Sequence, residues 1–196
     1  MTIEQNRSYW DSFTDFDGAK NKMGLASREI ELQKYFTEKL NKTQRILDLG
    51  VGVGIIYNLV KNVVNPYTYF GADISQTMLN HCIKNTNNEF PVIWLRSAEL
   101  PFLDNYFDVV ICYSVFTHLE PLTANSILGE IKRVLKNGGK SYISIIEEAT
   151  ENLTDFKRYI VLKSGAFQQQ LVEAEFKILS QTKVSGEPQN LIEVQK

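Results

Sequence analysis

Ile46-Leu47-Asp48-Leu49-Gly50-Val51-Gly52-Val53-Gly54-Ile55-Ile56 carries an apolar run into three alternating glycines and back into apolar residues. The pattern reads as a strand, a tight turn and the start of a helix. Glycine reaches backbone conformations that other residues avoid, and without a Cβ it lets a bound group approach the main chain. The first N–H groups of the following helix add hydrogen-bond donors at the same point. Asp73 comes nineteen residues after Gly54, at the end of the next apolar run. A carboxylate there can accept two hydrogen bonds from ribose hydroxyls. Turn and acid together predict an adenosine-type ligand at the point where the strand order of a parallel sheet reverses.

Outward from this stretch, short β-branched runs alternate with segments of helical period, as in a parallel sheet covered on both faces. Strands are predicted at 45–49, 67–72, 91–95, 108–113 and 140–146, with two more at 177–184 and 191–195. Helices are predicted over 55–62, 76–85, 123–136 and 166–175. In the third of these, Ile127, Leu128, Ile131, Val134 and Leu135 form one apolar stripe, and Gly138 beyond it reads as a stop. Only residues 185–190 separate the last two strands, so these should pair as an antiparallel hairpin closing one edge. The expected fold class is α/β, a doubly wound seven-stranded sheet, mostly parallel with an antiparallel C-terminal hairpin. A further helix from Ser27 to about Leu40 precedes it, and residues 1–44 are expected to form a helical cap or lid on a single unit spanning 45–196. Residues 1–26 show no strong period, although Tyr9, Trp10, Phe13 and Phe16 give them aromatic surface to fold over something.

Composition narrows the function classes. With 196 residues, 43% hydrophobic and 22% charged, the chain has the makings of one globular domain, not of a disordered or collagen-like one. The 21 basic against 23 acidic residues, without a long same-sign block, offer no positive track for nucleic acid or anionic lipid. No run approaches the ~18 apolar residues of a membrane span, and the polar start lacks a signal peptide's apolar core. Two cysteines, Cys82 and Cys112, make neither a disulfide framework nor a zinc-site spacing. The expectation is a reduced, cytoplasmic setting with no metal and no membrane partner.

Two cofactor classes compete for the glycine turn. A dinucleotide fold calls for G-x-G-x-x-G beside a pyrophosphate, but the third glycine of that spacing is replaced here by Ile55, and the glycines read G-x-G-x-G. Asp48 places a carboxylate at the mouth of the site, where it would repel a diphosphate and attract an ammonium group. A zwitterionic or cationic cofactor is favoured.

On these residues the sequence resembles the class I S-adenosylmethionine-dependent methyltransferases, in particular their small type-11-like branch. Residues 46–54 look like that family's first motif, and Gly71-Ala72-Asp73-Ile74-Ser75 looks like its ribose-binding second. Ser97-Ala98-Glu99-Leu100-Pro101-Phe102 with Tyr106-Phe107-Asp108-Val109-Val110 is similar to its adenine loop and fourth strand. Leu135-Lys136-Asn137-Gly138-Gly139-Lys140 resembles its turn into the fifth. The resemblance covers about residues 45–146 and implies a Rossmann-like fold with S-adenosylmethionine as cofactor and S-adenosylhomocysteine as product. It implies that Gly50, Gly52 and Gly54 line the methionine moiety and Asp73 the ribose. Ile74 and Met78 would form an adenine face, Ala98 and Glu99 the adenine edge, and the chain at Cys112 and Tyr113 would pass the sulfonium. Ser97 stands where the family often has Asp, so its bond to the adenine amine would be weaker than a carboxylate's.

Methyl transfer is an in-line displacement for which the cofactor carries the activation, so the protein mainly aligns the partners and excludes water. An acceptor hydroxyl or ammonium needs one base. His118 follows the fourth strand on the rim where α/β folds place ligands, and it either takes that proton or holds its loop by a backbone hydrogen bond. His81 lies within a predicted helix as a surface or packing residue, and Asp108 is expected to orient the chain. Tyr9 and Trp10 are the expected lid residues over the site; Phe116, Phe156 and Tyr159 are placed around the acceptor. Arg28 either pairs with the cofactor carboxylate or, more simply, is a solvated helix charge. Acceptor choice should reside in the segment from Glu147 to Lys163. Lacking a separate recognition domain, the chain is expected to use a small-molecule acceptor with an oxygen or nitrogen nucleophile. Protein or RNA methylation, and a noncatalytic S-adenosylmethionine-binding module, remain alternatives.

Overall fold

All four residues of β1 (Ile46–Leu49) are buried, as befits a strand covered on both faces. The computed structural model describes residues 2–13, 25–147, 160–162, 165–184 and 189–196. Its strands are β1, β2 (Tyr69–Asp73), β3 (Val92–Trp94), β4 (Phe107–Cys112), β5 (Leu135–Glu147), β6 (Val161–Leu162), β7 (Lys177–Lys183) and β8 (Gln189–Gln195). Its helices are α1 (Ile3–Asp11), α2 (Leu25–Lys39), α3 (Ile55–Val60), α4 (Gln76–Asn85), α5 (Pro121–Val134) and α6 (Ala166–Glu173).

Seven strands run in the order β3-β2-β1-β4-β5-β8-β7. Those from β1 to β5 are parallel, whereas β8 pairs antiparallel with both β5 and β7. This is the expected doubly wound α/β sheet with its C-terminal hairpin. Because side chains alternate along a strand, Leu47, Leu49, Val110 and Cys112 face one core with α5 and α6. Ile46, Val109 and Ile111 face the other with α2, α3 and α4. The chain winds outward from β1 in two directions, which opens a crevice beyond the carboxyl ends of β1 and β4. Leu32, Phe36 and Leu40 pack into the second core, so α2 is continuous with the sheet.

Several details differ from the sequence reading. The predicted 123–136 helix stops at Val134, and β5 begins at once with Leu135. Gly138, with φ +77°, sits inside that strand near a register shift against β4, so it bends the strand and does not end the helix. Within the hairpin that closes one edge as expected, β8 lies between β5 and the outermost strand β7. A two-residue strand, β6, was not foreseen; it pairs with Ile146 and Glu147. Most consequential is α1, in the region without a clear period. Thr2 and Gln5 form its reciprocal capping box, the Gln5 amide donating to the Thr2 hydroxyl at 3.3 Å and the Thr2 amide to Gln5 Oε1 at 2.9 Å.

Candidate active site

The turn after β1 opens into a cavity of about 490 Å³ at the switch point. Gly50, Gly52 and Gly54 all take positive φ (+76°, +52° and +84°), which explains why glycine stands at each position. Their surroundings differ. A Cβ on Gly50 would come within 2.2 Å of Val115 Cγ2, and one on Gly54 within 2.6 Å of Thr86 Cγ2. On Gly52 it would meet nothing nearer than the Gly50 carbonyl at 3.9 Å. Gly52 is therefore the bare point of the turn, while Gly54 stands outside the cavity wall, against α4.

Asp73 ends β2 with its carboxylate bound to that turn. The Gly52 amide donates to Oδ2 and the Ser75 amide to Oδ1, both at 2.9 Å. Each oxygen keeps acceptor capacity toward the cavity, which Asp73 lines. Burial pushes this carboxyl up to about 6, opposed by the backbone donors. Asp48 lies deeper, at 2% exposure, and accepts a 2.7 Å hydrogen bond from the Tyr69 hydroxyl. Burial raises it to about 7, with the Tyr69 bond pulling down and Asp73 pushing up.

The opposite wall comes from the chain after β4 and from α1. Tyr113, Ser114, Val115 and His118 line the cavity. Ser114 takes φ +58°, and its amide donates to Ser144 Oγ at 2.6 Å. This bend sets Val115 over Gly50. His118, 6% exposed, lies edge-on to the Trp10 ring with centroids 5.2 Å apart. The Asn6 side-chain amide donates to the His118 carbonyl at 3.1 Å, and the His118 amide to the Val115 carbonyl. The His118 backbone thus holds its loop while its ring faces the aromatic wall of Tyr9, Trp10 and Phe13.

Of the residues singled out from sequence, the cavity gathers Asp48, Gly50, Gly52, Asp73, Ile74, Met78, Ser97, Tyr113, His118, Tyr9 and Trp10. Gly54, Ala98, Glu99, Cys112 and Phe116 stand outside its wall. The Cys112 side chain points into the core at 0% exposure, because the alternation of β4 sends it to the α5 face. Phe116 is likewise core, packed against Phe167 at 5.1 Å, and is not among the residues that line the cavity. Glu99 is exposed, its amide donating to Ser97 Oγ at 3.3 Å. Phe156 and Tyr159 lie outside the described residues. Arg28, whose simpler reading was a solvated charge, is 9% exposed and lines the cavity. Phe13, named among the aromatics that could fold over something, also lines the cavity; Asn6 was missed, although Ile3, Asn6, Trp10 and Phe13 recur at helical spacing, because a polar residue interrupts the stripe. Asp108 orients the chain as expected: it accepts the Arg45 amide at 2.8 Å and pairs with Lys136 at 2.6 Å.

The sheet order, the glycine turn and the acid ending β2 define an α/β nucleoside-binding protein of the switch-point type. Residues 47–143 match the family described as methyltransferase domain. An uncharacterised protein of Methanocaldococcus jannaschii is 36% identical over 138 residues, 68% of this chain and 56% of that protein. The ubiquinone/menaquinone biosynthesis C-methyltransferase of Neisseria meningitidis is 32% identical over 64% of this chain and 54% of its own. This chain thus spans about half the length of the curated relatives it matches. In fold it superposes on magnesium protoporphyrin IX methyltransferase of Synechocystis PCC 6803, crystallised with S-adenosylmethionine (TM-score 0.77, 17% identity, 99% of this chain and 96% of that one). Residues 47–143 thus carry a methyltransferase domain, on the fold shared with S-adenosylmethionine-dependent methyltransferases.

Proposed function

We propose that this chain transfers a methyl group from S-adenosylmethionine to an oxygen or nitrogen of a small-molecule acceptor. The carrying observation is that one cavity is lined both by Gly52 and Asp73 and by His118 and Trp10. The residues fit the cofactor: a turn bare at Gly52 admits a group against the main chain, and Asp73 keeps acceptor capacity for two ribose hydroxyls. Arg28 offers a positive charge to the carboxylate of a zwitterionic amino-acid end, and an ammonium beside Asp48 would draw that buried carboxyl toward its ionised form. When bound, the cofactor supplies a sulfonium-activated methyl group. The protein aligns the acceptor beneath Tyr9 and Trp10, keeps water out with an apolar wall, and takes the acceptor proton on a His118 ring nitrogen. A small acceptor also agrees with the relatives above, named for ubiquinone/menaquinone biosynthesis and for magnesium protoporphyrin IX.

Calorimetry with S-adenosylhomocysteine, followed by turnover on an acceptor panel, tests this. Asp73→Ala is expected to weaken that binding by about 1–3 kcal/mol, since it removes a charged hydrogen-bond acceptor. His118→Ala is expected to slow turnover at least about tenfold while S-adenosylhomocysteine binds as in wild type. Binding of NAD(H) in preference to S-adenosylhomocysteine would reject the cofactor. Tight binding without turnover would favour a noncatalytic module.

A further inference from the structure

Helix α1 turns two adjacent faces to the protein. Ile3, Asn6 and Trp10 line the cavity from one, with Phe13 just beyond the helix end. Arg7 and Asp11, one turn apart, project from the next, toward the loops that follow β2 and β3. Arg7 Nε donates to the Ile74 carbonyl at 3.2 Å, and its Nη2 to the Leu95 and Arg96 carbonyls at 3.4 and 2.7 Å. Asp11 Oδ1 accepts the Ser75 hydroxyl at 2.6 Å and the Thr77 amide at 3.3 Å, and its carbonyl accepts the Thr77 hydroxyl at 3.1 Å. Ser75 is the residue whose amide holds Asp73 Oδ1 and whose hydroxyl caps α4. A continuous set of hydrogen bonds therefore runs from Asp11 through Ser75 and Asp73 to the Gly52 amide. Arg7 grips the chain on either side of the same pocket, next to Asp73 and next to Ser97.

We infer that Arg7 and Asp11 are positioning residues for the nucleoside end of the cofactor, and that docking of α1 is thermodynamically coupled to cofactor binding. This rests on the cofactor assignment above. A nine-residue helix is not stable alone in water, so α1 persists only while it is docked. A ligand that orders Asp73, Ile74 and the chain at Ser97 also orders the groups to which Arg7 and Asp11 bind. Linkage makes the effect reciprocal: what the ligand adds to helix docking, the docked helix adds to ligand affinity. The cofactor then binds before the acceptor chamber is complete, because the same helix carries Trp10 over His118.

The test uses the full chain and S-adenosylhomocysteine. Arg7→Ala and Asp11→Ala are expected to weaken its binding by about 5- to 20-fold, with Asp11→Asn recovering most of the loss because it keeps the acceptor oxygen. In turnover the two alanine variants should raise the KM for S-adenosylmethionine more than they lower kcat. In wild type, S-adenosylhomocysteine should slow amide hydrogen exchange across residues 3–11, and this readout stands even if a variant fails to fold. Folded variants that bind within twofold of wild type, or exchange in α1 that ignores the ligand, would overturn the coupling alone. A wild-type protein that does not bind S-adenosylhomocysteine would overturn the cofactor assignment, and the coupling with it.

Discussion

Gly50, Gly52 and Gly54 share a left-handed backbone but answer different demands. Alanine at 50 or 54 adds a steric collision to the roughly 1–2 kcal/mol that a non-glycine residue pays in that region, because Val115 and Thr86 lie within 2.2 and 2.6 Å of the new Cβ. Both variants are expected to lose thermal stability strongly. Gly52→Ala meets open space, so it should cost only about the backbone term of 1–2 kcal/mol, yet it puts a methyl where the ligand approaches. Thermal melts with and without S-adenosylhomocysteine separate the cases: Gly52→Ala should unfold near wild type but lose the ligand-induced shift. The three positions were visible in the sequence as one motif. Their distinct roles were not, because what meets Gly54 and Gly50 comes from residues 32 and 65 positions further along the chain, while Gly52 meets no side chain.

At the scale of elements, the loop between β3 and β4 is held by a buckle on α5. Arg133 donates to the Leu100 and Phe102 carbonyls, to Asp104 and to both oxygens of Glu130, all at 2.7–2.8 Å. Glu130 in turn accepts the Leu100 amide at 2.7 Å. Arg133→Ala leaves this carboxylate and two carbonyls to find other partners. It is expected to cost about 1–3 kcal/mol of stability and to weaken S-adenosylhomocysteine through the displaced Ser97; denaturant melts and calorimetry read the two effects. Lysine at 133 should restore little, since a single ammonium cannot reproduce the fork. The apolar stripe of α5 was legible from its period, whereas the buckle was not, because charged residues on an amphipathic helix read first as its solvated side. Within the helical cap expected over residues 1–44, α1 itself was not placed for a related reason: Arg7 and Asp11 bind protein and Asn6 faces the cavity, so only some of its polar residues mark a solvent face.

For the whole molecule, two buried carboxyls beside the cavity oppose the lowered Asp108, Glu130 and Glu193 in the response to pH. Asp48 is pushed to about 7 and Asp73 to about 6, chiefly by burial. Both values lie above the ordinary 3.8, so the fold favours the protonated forms. Their contribution to stability is complete below about pH 4 and is lost as pH rises through 6 to 7. Asp48→Asn is therefore expected to gain stability relative to wild type between pH 5 and pH 8, by on the order of 1–3 kcal/mol, in melts of the ligand-free protein. An unchanged difference across that range would show that Asp48 does not carry the pH dependence. Among the described residues no helix is long and apolar enough to cross a membrane.

The sequence by itself determined the alternation of strands and helices, the parallel sheet and the glycine turn followed by an acid. Each depends on local backbone geometry and on periods of two or 3.6 residues that neighbours in the chain impose. Tertiary structure alone decided that Cys112 and Phe116 turn into the core, that β8 lies inside the sheet, and that Arg28 and α1 close the cavity. Those outcomes depend on which distant surfaces exclude water together, and no local pattern records that.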